Sequence, residues 1–104
     1  MSESGLEPAI DELYSTGWAG LDSTGCEHAD DGRIFPSVVR VQQEFAQLGY
    51  ELNIRFVQLF DCYRAEWSDA QGAPAGAVVG ASEREAAIYA LARLRQKVKA
   101  GVKP

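Results

Sequence analysis

The sequence predicts an α+β domain: a three-stranded antiparallel sheet packed by two helices in the order α-β-β-β-α, preceded by an irregular N-terminal arm. Three observations carry this. Val38, Val41, Phe45 and Leu48 recur at helical spacing up to Gly49. Tyr50, Leu52, Ile54 and Phe56 alternate with Glu51, Asn53 and Arg55, the two-residue period of a half-buried strand. Ser82 and Glu85 form a capping box at the head of an Ala/Leu-rich segment running to Val98.

In chain order, residues 1–8 read as a frayed tail. Glu7–Tyr14 reads as a short helix with Ile10, Leu13 and Tyr14 on one face and Gly17 as its stop. Trp18–Arg33 holds Gly20, Gly25 and Gly32 among Ser, Thr and Asp residues, with no sustained period, and is expected to be loop. Pro36 suits the first turn of the next helix, where its missing N–H leaves no bond unmade. After the strand Tyr50–Phe56 the alternation fails at Val57–Phe60, which predicts a bulge or a hairpin around Phe60–Asp61. Tyr63, Ala65 and Trp67 resume the alternation against Arg64 and Glu66. Asp69–Gly72 supplies turn chemistry, and Pro74–Ala81 is the third strand. In the last helix Ala87, Leu91, Leu94 and Val98 form the buried stripe, flanked by Ile88 and Ala90. Both helices are expected on one face of the sheet, leaving Glu51, Asn53, Arg55, Arg64 and Glu66 solvated on the other.

The 104 residues divide into an acidic arm (1–35), the α-β-β-β-α domain (36–100) and a short tail (101–104). The formal net charge of −5 is unevenly spread. Residues 1–35 carry eight acids against Arg33 alone, whereas residues 36–104 carry nine bases and seven acids. This balance argues against nucleic acid and anionic membrane as partners of the whole surface. With the bases clustered at Arg93–Lys103, it also predicts that the acidic arm folds back near the basic C-terminal helix. No apolar run approaches the roughly 20 residues of a membrane span, and the N-terminus has no secretory pattern. A cytoplasmic protein with Cys26 and Cys62 as free thiols is the expectation.

The order of elements, with Gly80-x-Ser82 leading into an Ala-rich helix, resembles the double-stranded-RNA-binding domain over Pro36–Val98. It is also similar to small α-β-β-β-α sandwich domains of uncharacterised phage and bacterial proteins, through Gly80, Ser82, Glu85, Ala86 and Ala87. The RNA-binding resemblance implies basic residues just after the Ser. The corresponding positions here are Glu83, Arg84 and Ala87, so one of three is basic. The Gly-Pro-x-His loop of that family is also missing, since the connection is Phe60-Asp61-Cys62. The resemblance therefore implies a scaffold and argues against its RNA contacts.

Cys26 and His28, with Asp30 and Asp31 nearby, form the one nucleophile–base pair in the chain and a potential metal-ligating group that Cys62 would complete. A solvated polar loop is the competing reading. Trp18 lies between Gly17 and Gly20, outside any periodic element. It either pins the arm to the domain or belongs to a binding surface. Tyr63 and Trp67 read as core, and Cys62 as a small buried apolar residue. The glycines match neither nucleotide-binding fingerprint, so no cofactor is expected, and no facing carboxylate pair suggests an enzyme. A non-enzymatic module that binds protein, or a second copy of itself, through the sheet edge or uncovered face is the leading expectation. Its candidate binding residues are Trp18, Cys26, His28, Arg55 and Arg64. A metal- or thiol-dependent site at Cys26 and His28 is the alternative, and weak nucleic-acid binding the third.

Overall fold

The apolar stripe of the N-terminal segment becomes a helix: α1 spans Leu6–Ser15 and buries Ala9, Ile10 and Leu13. The computed structural model describes residues 6–18 and 25–101, the backbone alone from 98 to 101. The expected frayed tail lies largely outside these residues, as do the side chains of Val98, Lys99 and Lys103. After α1 come β1 (Cys26–His28), β2 (Ile34–Pro36) and α2 (Val38–Gln47). They are followed by β3 (Glu51–Val57), a 3-10 turn (Gln58–Phe60), β4 (Cys62–Ser68), β5 (Pro74–Gly80) and α3 (Glu83–Gly101). The α-β-β-β-α order predicted for residues 36–100 is thus α2 to α3.

Two expectations are corrected in the arm. The segment Trp18–Arg33 is not loop throughout, because Cys26–His28 pairs antiparallel with Ile34–Pro36. The turn between these strands is closed by Ala29 N–H to Arg33 O at 2.8 Å and Gly32 N–H to Ala29 O at 3.0 Å. Strands of three residues are too short to display a two-residue period. Pro36 is the last residue of β2 instead of the first turn of a helix. Ser37 takes the capping position, its Oγ accepting Arg40 N–H at 3.2 Å. A hydroxyl at that position satisfies one of the orphan amides of the first turn.

The sheet has the order β3-β4-β5, all antiparallel. Its register places Leu52 opposite Trp67, Ile54 opposite Ala65 and Phe56 opposite Tyr63 on one face. Gly76, Val78 and Gly80 of β5 continue that face. Both α2 and α3 pack on it. Phe45 of α2 meets the Trp67 ring edge-on at 5.3 Å between centroids. Trp67 in turn lies on β5 so closely that a Cβ at Gly76 would be 2.4 Å from its ring. At Gly80 a Cβ would be 2.7 Å from the Ala86 amide nitrogen, so the first turn of α3 rests directly on the strand backbone. The irregularity foreseen after β3 is the 3-10 turn with Asp61 left-handed at φ 51°, whereas the register shift lies at Trp67/Ser68.

Ser82 Oγ accepts the Glu85 N–H at 3.1 Å and starts α3 as the capping box predicts. This helix buries Ala86, Ala87, Ile88, Ala90, Leu91, Ala92 and Leu94, residues that cover well over half of its circumference and leave Arg93 and Gln96 exposed on the rest. It is enclosed because the sheet lies on one side and α1 packs on another. The arm therefore does lie against the last helix. The contact is apolar, with Arg95 Nε donating to Thr16 Oγ1 at 2.8 Å at its margin. The acids of the arm pair elsewhere than with the basic end of that helix: Asp11 and Asp31 with Arg33, and Glu27 with Arg84 in the first turn of α3.

Candidate functional site

Strand alternation gives the sheet a second face, which no element covers among the described residues. Glu51, Asn53 and Arg55 are exposed there, and Arg64 and Glu66 are half-exposed. Arg55 and Arg64 stand directly opposite each other across β3 and β4. Like charges in that position repel, and Glu66 resolves the conflict by lying between them. Its carboxylate meets Arg55 Nε at 3.3 Å and Arg64 Nε at 3.1 Å. The hydrogen bond from Arg64, then that from Arg55, holds the Glu66 carboxyl below the usual carboxylate range. One carboxylate facing two guanidiniums leaves this cluster with a positive balance. Beside it a groove of about 450 Å3 runs to the β4–β5 turn, lined by Asn53, Arg64, Glu66, Ser68, Pro74 and Ala77.

The end of the sheet where β3 turns into β4 is apolar. Leu59 and Phe60 are 84% and 72% exposed, and Phe56 is 48% exposed with its ring 5.2 Å from that of Tyr63. Val79 of β5, opposite Arg64 in register, is 54% exposed at the same end. Adjacent large apolar side chains with as much contact to water as Leu59 and Phe60 are characteristic of contact surfaces. Sequence alternation assigned Phe56 to the buried side, and it does lie on the helix-bearing face. The periodicity could not show that α2 and α3 leave that corner open. Leu59 and Phe60 were legible only as the place where alternation fails.

A second groove of about 450 Å3 opens between the first turns of α2 and α3, with Ser37, Val39, Tyr63 and Ser82 on its walls. Its one arginine, Arg84, is held by Glu27, Nη2 to Oε1 at 2.9 Å. This is one of the positions matching the RNA-contacting residues of the resembled family, and another, Ala87, is fully buried.

The remaining predicted site residues do not gather here. Trp18 is 5% exposed and packs on Tyr14 with ring centroids 5.6 Å apart, fastening the end of α1 and leaving little surface for a partner. Cys26 is half-buried on β1, its Sγ 3.8 Å from Arg40 Nη1. His28 is exposed two residues further along the same strand. Asp31 is committed to Arg33, whose backbone N–H, foremost, holds its carboxyl below the usual range. Cys62 is half-buried at the start of β4. Among the described residues no group of three or more His, Cys, Asp or Glu side chains is placed to hold a metal ion. Nor, among them, is any helix long and apolar enough to cross a membrane.

No protein-family model matches the chain, and no curated protein or solved structure is similar to it at a significant level.

Proposed function

We propose that this protein is a non-enzymatic interaction module that takes a protein partner on the uncovered face of its sheet, at the end where β3 turns into β4. The observation that carries the reading is the pairing of exposed Leu59, Phe60 and Val79 with the opposed arginines Arg55 and Arg64. Apolar anchors supply contact area, and arginine forks supply orientation towards carboxylates or carbonyls on the partner. Arg55, Arg64 and Glu66 already restrain one another, so less side-chain freedom is lost on contact. The likeness to the double-stranded-RNA-binding domain enters only as scaffold, since Ala87 is buried and Arg84 is paired.

The test is quantitative capture of partners from a cell extract by the wild-type protein and three variants. L59D/F60D and R55E/R64E should each lose the protein that the wild type enriches, while R93E, on the exposed part of α3, should keep it. Equal capture by all four proteins would sink the proposal.

A further inference from the structure

The sheet has two edges of opposite character. β3 carries Glu51, Asn53 and Arg55 along its exposed side chains, the charged and polar marking that discourages another strand from pairing. β5 is Pro74-Ala-Gly-Ala-Val-Val-Gly80, seven residues without one ionisable group. One of its sides is bonded to β4, and among the described residues its other side meets no strand. Pro74 is at its first position and Ala75 lies at the register shift against β4, so regular pairing runs over the five residues from Gly76 to Gly80. Ala75, Gly76 and Ala77 are small and half-buried, which allows another backbone to approach at strand spacing.

We infer that β5 pairs antiparallel with the β5 of a second copy about a two-fold axis, joining two three-stranded sheets into one six-stranded sheet. Two features select a second copy over a foreign strand. A two-fold axis sets a surface against itself, so a charged edge would repel its own image, and in a chain of formal net charge −5 this edge is neutral. The second feature is α3, which folds back over the sheet directly after β5, its first turn against Gly80. Glu83 is exposed in its first turn, beside an Arg84 held by Glu27, and Arg93 and Lys97 are exposed towards its other end. Antiparallel β5 strands bring their α3 helices into antiparallel order as well. The acidic start of each helix is then level with the basic part of the other. An axis centred on Ala77 sets Ala77 against itself on the open face and Gly76 against Val78 on the covered face, so these side chains keep their sides.

This inference shares Val79 with the proposed partner face, but Leu59, Phe60, Arg55 and Arg64 take no part in it, so the variants at those four residues test the partner face alone. The test is sedimentation of the wild-type protein, A77K, A77E and an equimolar mixture of the two variants, with circular dichroism as the check on folding. The wild type should sediment as a dimer. A77K alone and A77E alone each place like charges against themselves at the axis and should self-associate about five- to tenfold more weakly. The mixture sets lysine against glutamate and should recover the dimer, which no misfolded variant could do. A wild-type protein that stays monomeric up to millimolar concentration would overturn the inference. So would a dimer indifferent to both substitutions, or a mixture that remains as weak as its components.

Discussion

The two faces of the same three strands are made by one alternation and have opposite fates. On the covered face, Leu52, Ala65 and Trp67 lie under Phe45 and the small residues of α3, and two glycines are needed because ring and helix come so close. On the open face, Arg55, Arg64 and Glu66 are held by exposed ion pairs alone. Stability is therefore concentrated on one side of a sheet about one residue thick, and the other side is free to change without endangering the fold. A binding surface placed there can be remodelled at little structural cost.

The largest test of this contrast is Phe45→Ala, which removes the ring that meets Trp67 on the covered side. It should lower unfolding free energy by about 3–5 kcal/mol in urea titration. A loss under about 1 kcal/mol would mean that the covered face is not the source of stability. Gly76→Ala should cost about 1–3 kcal/mol, because the Trp67 ring must shift to admit one methyl group. The same variant should alter tryptophan fluorescence and the near-ultraviolet dichroism of the folded state. On the open side L59S/F60S should change stability by no more than about 0.5 kcal/mol per site while reducing binding of a hydrophobic dye. A large destabilisation would show these side chains to be structural.

The smallest effect belongs to Glu66→Gln. The Glu66 carboxyl titrates lower in the folded chain than the ordinary carboxylate, so its pairing adds stability above the unfolded titration range. That contribution is lost as pH falls through the lowered folded value. Denaturation midpoints of the wild type should therefore fall between neutral and acid pH slightly more than those of the Gln variant. Parallel pH profiles would remove Glu66 as the link between the two arginines.

Most of the scaffold was readable from residue periods, because α2, β3, β4 and α3 each expose one side and bury another long enough for a pattern to register. Ser82 and Glu85 marked the start of α3 through local chemistry alone. What escaped was set by distance. The β1–β2 pair has three residues on each side, and Phe35, now buried against the core, gave no sign of its neighbours. The charge imbalance foretold that the arm would lie near α3, and Glu27 does pair with Arg84, but α1 itself presents the buried apolar Ala9, Ile10 and Leu13. Of the candidate site, Arg55 and Arg64 were placed on the solvated face by alternation. Their facing register depended on where the β3–β4 turn closes. Trp18, Cys26 and His28 were singled out by residue type, and residue type does not say which side chains meet.

The enclosure of α3 has a consequence for the order in which the chain assembles. From α2 to α3 each element touches the next one in sequence, so this part grows by closing short connections. By contrast α1 joins α3 across almost the whole domain, Thr16 and Arg95 being 79 positions apart. Closing so long a loop is entropically unfavourable until a docking surface exists to receive it. α1 is therefore expected to dock last and to detach first, its amides exchanging with deuterium through a partial opening in which the sheet and α3 remain protected. Detachment would bare the part of α3 that α1 covers, and so make the arm the latch on which the lifetime of the folded state depends.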